Sequence, residues 1–421
     1  MARIDLPGIR NSLRIDIPED YLGEIVTPPR TDSSKDSIAT IRSALSHPIG
    51  TPCLEQLVRP ENRVAVIVDD ITRETPTAIV LPLILEVLAG SGVPREKIVI
   101  VIALGTHRPM TPSEIDRKIG STIARDYRVV NVPAGNSREM VYVGRSSRGI
   151  PAWVNRTVAE ADFRIGIGMI MPHLDAGYGG GAKIVLPGVC SKATVDAFHS
   201  QMASIDANPL GRENAALRLD LEQWVGECMR LDFILNVVLD GRGNLYRCVA
   251  GDAVRAHRAG IRFAREVYGA AVKRRYPLVI ANAYPHQIDF WQSTKALASG
   301  EILTQSGGTL ILVAECPEGH GTHPRFAGYI GMDLDDLLRR FNGGGIADRC
   351  AAAEAVAIVR MKQRIRIGLV SSGLSADEAR QMGFSYYLSV ETAIDEAIGP
   401  MQEKKIGLLT HGGVTLPLLP D

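Results

Sequence analysis

The chain of 421 residues is longer than one ordinary core supports, so two domains are expected. A hydrophobic share of 45% with 22% charged residues is that of a water-soluble globular protein, and 47 basic against 47 acidic residues give no electrostatic footprint for nucleic acid. Six scattered cysteines without CxxC or zinc spacing suit a reducing cytoplasm, charges throughout the first twenty residues argue against a signal peptide, and no uncharged apolar run is long enough to span a membrane.

The first sixty residues are rich in proline and charge, with one helix expected around Lys35–Ser46. A regular alternation then begins. Arg63–Val68 is an apolar, β-branched run of the kind found in buried strands, and it ends abruptly in Asp69-Asp70-Ile71-Thr72-Arg73-Glu74-Thr75-Pro76. A helix over Thr77–Ala89 follows. A second strand, Ile98–Ala103, runs into Gly105-Thr106-His107-Arg108-Pro109-Met110, after which Thr111-Pro112-Ser113-Glu114 reads as a capping box opening a helix. Arg128–Val132 and Phe163–Ile170 are the third and fourth strands. Strand, polar loop and helix in repetition mean a parallel sheet covered by helices.

The fourth strand delivers the chain into Met171–His199, which holds His173, Gly177, Gly179, Gly180, Gly181, Lys183 and His199. Glycines at this density let backbone N–H groups approach an anion closely, phosphate above all. Neither common phosphate recipe applies. Lys183 is followed by Ile184, where a P-loop needs a hydroxyl, and the Gly166–Gly168 pair lacks the third glycine of the dinucleotide fingerprint.

Further on, Ser191 caps a helix through Val195–Ser200, Phe233–Leu239 and Leu245–Val249 form a hairpin, and a helix runs from Asp252 to Tyr268. A second alternation starts at Leu278–Ala281, with a helix Phe290–Ala298 bearing Gln292 and Lys295, strands at Thr309–Ala314, Arg364–Val370 and Ile406–Leu409, and helices at Asp333–Phe341 and Ala376–Met382. The expected fold is two α/β domains with mostly parallel, Rossmann-like sheets and the active site in the cleft between them. The expected boundaries are 1–271 and 272–399, with the tail 400–421 returning to the first domain.

In parallel sheets ligands bind outside the carboxyl ends of the strands. Asp69–Pro76, Gly105–Thr111 and Met171–Lys183 all lie there, which gathers Arg73, His107, His173 and Lys183 in one crevice. One histidine at a strand end is often structural; two at neighbouring ends suit general acid and base. Arg73 is able to grip a carboxylate with two hydrogen bonds, or to pair with Asp69 or Asp70. Lys183 is either a partly desolvated nucleophile or a surface lysine. His199 is a metal-ligand candidate if it lies near the other two, while His286, His320, His323 and His411 read as ordinary loop histidines.

Asp70-Ile71-Thr72-Arg73, Gly105-Thr106-His107-Arg108-Pro109-Met110-Thr111, Pro172-His173, Gly177-Tyr178-Gly179-Gly180-Gly181-Ala182-Lys183, His199, and Gln292 with Lys295 together resemble the nickel-pincer-nucleotide lactate racemase family. The resemblance covers nearly the whole chain. It implies a pyridinium-3,5-bisthiocarboxylate mononucleotide carrying nickel, joined to Lys183 through a thioamide, with His199 as the protein's nickel ligand. Asp70, Ile71, Thr72, Arg73, Gly179, Gly180 and Gly181 would cradle the nucleotide. His107 and His173 would be the acid–base pair on opposite faces of a 2-hydroxy acid, and Arg73, Gln292 and Lys295 would hold its carboxylate. The implied partners are this small molecule and the proteins that make and load the cofactor. The family's second-domain tryptophan has no counterpart in Glu354–Met361, and Trp291 stands where tyrosine is expected, so a larger acid than lactate is expected to fit. Two other readings of the same residues are a hydrolase with His107, His173 and His199 around a metal, and a nucleotide-binding or cofactor-delivery protein without turnover.

Overall fold

The computed structural model describes residues 1–205 and 207–420. They form two compact units, one made of Arg30–Phe198 and Gly211–Val267, the other of Met1–Pro29, His199–Leu210 and Tyr268–Asp421.

The first unit is built on a six-stranded sheet in the order Leu245–Gly251, Phe233–Leu239, Phe163–Met169, Val64–Asp69, Ile98–Ala103, Arg128–Val130. All neighbours are parallel except the first two, which form the expected hairpin. Every residue of Val64–Asp69 is buried, as a central parallel strand requires. Helix Thr77–Gly90 packs Val80, Leu81, Ile84 and Leu88 against it in one continuous core. The chain leaves Val64–Asp69 toward Ile98–Ala103 and later returns to its other side as Phe163–Met169. The switch in strand order therefore falls between Val64–Asp69 and Phe163–Met169, the place where such sheets open a binding crevice.

The second unit repeats this plan. Its sheet runs Ser385–Tyr387, Arg366–Val370, Thr304–Val313, Tyr276–Asn282, Ile406–Leu409, Leu22–Val26, with all neighbours parallel. Its switch falls between Tyr276–Asn282 and Ile406–Leu409, whose ends Asn282 bridges by donating from Nδ2 to Thr410 O at 2.9 Å.

Two expectations are corrected here. The tail strand Ile406–Leu409 does not return to the first unit; it inserts between Tyr276–Asn282 and Leu22–Val26 of the second sheet. The N-terminal residues likewise belong to the second unit, where Leu6, Ile15 and Ile17 are buried in its core. Both ends of the chain are needed to complete that sheet, and nothing local in sequence announces a parallel partner some 380 residues away.

Candidate functional site

Three loops at the carboxyl edge of the first sheet carry the candidate residues. In the first, Asp69 is buried and pairs with Lys118 from helix Pro112–Ile119, Nζ to Oδ1 at 2.8 Å, with only 3% and 11% of the two side chains exposed. Lys118 also donates to the carbonyls of Arg73 (2.8 Å) and Thr75 (3.2 Å), and Thr75 donates its hydroxyl to Asp69. Lys118 thus seats the whole Asp69–Thr75 turn. Arg73 is exposed and donates to the Thr72 hydroxyl at 3.0 Å rather than hydrogen-bonding either aspartate, the second of the two uses read for it. Ile71 turns inward and packs against the core.

Asp70 has a clear task. Its Oδ2 lies 2.7 Å from His107 Nδ1, and its Oδ1 accepts from the Thr72 hydroxyl at 2.5 Å. Burial alone would raise this carboxyl, but His107, Thr72 and Arg73 together hold it below its ordinary value. It is therefore a carboxylate at neutral pH, so His107 donates to it through Nδ1–H, and the neutral form of the ring has its lone pair on Nε2.

The His107 loop is tied down on both sides. Arg108 makes a bidentate pair with Glu114 at 2.8 and 2.7 Å, and that carboxyl, also bonded by Thr111 N–H, is lowered to about 2. The capping box at Thr111 forms as the sequence predicts. On the other side, Gly105 N donates to Gly188 O at 2.8 Å, which fastens this loop to the segment that follows Lys183. Gly105 has φ of +55°, so a residue with a side chain would be strained there.

His173 stands in a short hairpin, Pro172–His173 against Gly177–Tyr178. Its Nδ1 accepts from Asp175 N at 3.0 Å. An accepting Nδ1 places the ring proton on Nε2, the opposite of His107. In their neutral forms the two rings are thus opposite tautomers.

Beyond the hairpin, Gly180 and Gly181 adopt φ of +75° and +59°, and Gly181–Ile184 forms one 3₁₀ turn that carries half-buried Lys183. The Lys183 ammonium lies 5.9 Å above the centre of the fully buried Phe198 ring. Phe198 and half-buried His199 are consecutive in helix Lys192–Ser200, whose start Ser191 caps toward Thr194. At Gly180 and Gly181 the loop leaves no room for side chains: a Cβ on Gly180 would stand 2.8 Å from Asn236 Oδ1, and one on Gly181 2.9 Å from the His257 ring.

In the second unit, helix Phe290–Leu303 follows the strand Tyr276–Asn282 across a loop of residues 283–289, capped by Asp289 onto Gln292 N at 2.7 Å. Of its first two turns only Trp291, Gln292 and Lys295 are not buried. Lys295 donates to Gln292 Oε1 at 2.9 Å, and Trp291 stacks on His323 with ring centres 4.0 Å apart. His320 and His323 each face a carboxylate, Glu378 at 2.9 Å and Asp348 at 2.7 Å, and so hold their loop to two helices. Glu354–Met361, which lacks an aromatic residue, lies within helix Arg349–Arg364 and buries Val356, Ile358, Val359 and Met361.

Residue-by-residue reading missed Lys118, Arg218, Glu222, Asn236 and His257, all buried polar groups beneath the loops. Only Lys118 gave any signal: it occupies an inward position of the amphipathic helix Pro112–Ile119, beside Ile119.

A doubly wound α/β fold with two histidines and a glycine loop at the carboxyl edge of its sheet is the arrangement of a small-ligand site. Comparisons with known proteins specify the family. A family model described as "Lactate racemase N-terminal domain" matches residues 10–210. Lactate racemase of Lactiplantibacillus plantarum is 32% identical over 327 residues, covering 76% of both chains, and that of Thermoanaerobacterium thermosaccharolyticum is 31% identical over 330 residues with the same coverage. The structure of the latter's lactate racemase apoprotein superposes with a TM-score of 0.88 at 26% identity, covering 99% of this chain and 100% of that one. A protein from Thermotoga maritima shares the fold, with a TM-score of 0.68 at 20% identity. The chain belongs to the lactate racemase family and is an isomerase. Among the described residues no helix is long and apolar enough to cross a membrane.

Proposed function

We propose that this protein racemises or epimerises a 2-hydroxy acid, lactate or a larger one, using a nickel-pincer nucleotide attached to Lys183. The observation that carries the reading is the pair of histidines on neighbouring loops at one edge of the sheet, His107 held by Asp70 at 2.7 Å and His173 accepting from Asp175 N at 3.0 Å. The chain's own residues fit such a group. Gly180 and Gly181 form a loop against which no side chain fits, and Lys183 follows within it.

In this reading Lys183 and His199 hold the group, His199 as the nickel ligand, while Asp70–Arg73 and Gly179–Gly181 hold its nucleotide portion. When bound, the group supplies a reversible hydride acceptor, so that C2 of the substrate passes through a planar 2-oxo acid. His107 takes the hydroxyl proton of one enantiomer through Nε2 and His173 that of the other from the opposite face; in each direction the second histidine, protonated at the start, returns a proton to the oxygen at C2. Arg73, Gln292 and Lys295 hold the carboxylate, the arginine through its planar fork. Loading depends on the proteins that build the nucleotide, in the cytoplasm.

The test is intact mass and metal analysis of protein from a cofactor-making host, with a turnover panel of lactate, malate, aromatic 2-hydroxy acids and aldonic acids. We expect one nucleotide adduct, lost in Lys183→Ala, and one nickel. With no aromatic side chain in Glu354–Met361, longer acids should outpace lactate, because a bare methyl in an oversized pocket forfeits packing. An unchanged adduct in Lys183→Ala sinks the attachment; lactate as best substrate sinks only the pocket argument. A loaded protein that turns over no panel member leaves the cofactor-delivery reading standing instead.

A further inference from the structure

Behind the glycine loop lies a polar cluster that the proposed chemistry does not use. Helix Ala216–Cys228 carries Arg218, whose side chain is fully buried. It donates from Nη1 to Gly180 O at 3.1 Å, from Nε to Ala176 O at 3.4 Å, and from Nη2 to Tyr178 O. His257, on helix Arg255–Tyr268 and also fully buried, meets Gly179 O with Nε2 at 2.7 Å. From the far side, Asn236 Oδ1 accepts Gly181 N–H at 2.7 Å. The carbonyls of residues 176, 178, 179 and 180 are thus all drawn toward the interior by two side chains.

The charge states support these roles. Burial pushes Arg218 down to about 10, so it remains a cation at neutral pH. Burial, with Arg218 and Arg258 nearby, holds His257 well below its usual range, so the ring is neutral and Nε2–H is the donor. Glu222 anchors the cluster with a bidentate pair to Arg258 at 2.9 and 2.7 Å and stands 3.8 Å from Arg218 Nη1. Taking a guanidinium out of water is expensive, and a surface turn needs no such backing. Three of Arg218's contacts fall on one loop, which makes the orientation of that loop's peptide planes the thing it controls.

We propose that Arg218 is the positioning residue of the ligand loop, with His257 as its second clamp. Together they orient the peptides of residues 176–181 so that the loop accepts an anionic pyridine mononucleotide and offers Lys183 for attachment. This rests on the pincer-nucleotide reading above.

The experiment titrates nicotinic acid mononucleotide, which carries the pyridinium ribose phosphate without sulfur or metal, into the apo-protein by calorimetry, with circular dichroism of every variant. Losing a buried charged donor should weaken binding at least about tenfold in Arg218→Met. Arg218→Lys should recover part of that loss. His257→Gln keeps an N–H donor and should bind within about threefold of wild type, whereas His257→Phe should lose about tenfold. The adduct fraction on Lys183, read by intact mass after loading, should fall in the same order. A purely structural role would lower melting temperature in all four without ranking their affinities. Folded Arg218→Met with wild-type affinity overturns the proposal. If the Arg218 variants do not fold, equal affinities for His257→Gln and His257→Phe overturn it. Wild-type protein that neither binds the mononucleotide nor acquires an adduct refutes the cofactor reading itself, which is a different result.

Discussion

Replacing Lys118 with methionine isolates the ion pair on which the Arg73 turn rests. The ammonium and the Asp69 carboxylate are 2.8 Å apart with 3% and 11% of their side chains exposed, so solvent screens little of the interaction. Removing one partner of a buried pair costs about 3–5 kcal/mol, because the other charge is left uncompensated. The carbonyls of Arg73 and Thr75 also lose their shared donor. For a unit of this size, about 3 kcal/mol corresponds to a melting shift of at least roughly 6 °C. The deficit should depend on pH. Burial raises the Asp69 carboxyl above its ordinary value, with Lys118 and then Thr75 opposing the rise. Without Lys118 the folded state holds a proton there that the unfolded chain has released, and such a state loses stability as pH rises above the ordinary carboxylate range. Urea unfolding followed by circular dichroism should therefore show a large deficit at pH 8 that shrinks toward pH 5. Asp69→Asn in the same background should restore part of it. A loss below about 1 kcal/mol at pH 8, or a deficit equal at both pH values, would refute the reasoning.

Asp70→Asn removes the carboxylate that orients His107. A charge-assisted bond contributes about 1.5–3 kcal/mol, and the 43% exposure of His107 argues for the low end, so kcat/KM should fall about tenfold for both enantiomers. Wild-type initial rates would show that His107 is held by other means. Because the Asp70 carboxyl is depressed in the folded state, its contribution to stability is present above the ordinary carboxylate range and is lost as pH falls through the lower folded value. His107→Ala and His173→Ala should each stop full interconversion in both directions, since each direction uses one as base and the other as acid; wild-type rates with both enantiomers in either variant would end the two-base scheme. His199→Ala should lose nickel while the organic adduct stays on Lys183, and full nickel retention by metal analysis would place the ligand elsewhere.

Strands and helices with strong local signals were legible from sequence. Ile98–Ala103 and Ile406–Leu409 form as read, and the capping box at Thr111 starts its helix at Pro112. The three loops at the carboxyl edge of the first sheet were legible for the same reason: each interrupts an apolar run with residues whose backbone freedom or charge no strand or helix interior would hold. Loop position then followed from topology, since parallel strands all present their carboxyl ends on one edge. Helix Ala216–Cys228 was not legible, because nothing in its sequence signals that the charged residues Arg218, Asp220 and Glu222 are buried. Their burial depends on partners far along the chain, such as Arg258 for Glu222 and the carbonyls of Tyr178 and Gly180 for Arg218. The same holds for the terminal strands, whose hydrogen-bond partners only the assembled sheet supplies. The Asp175 N–H that His173 accepts comes from two residues along the chain, within reach of local sequence; the carboxylate that His107 meets at 2.7 Å comes from Asp70 on another loop, and only tertiary structure brings it there.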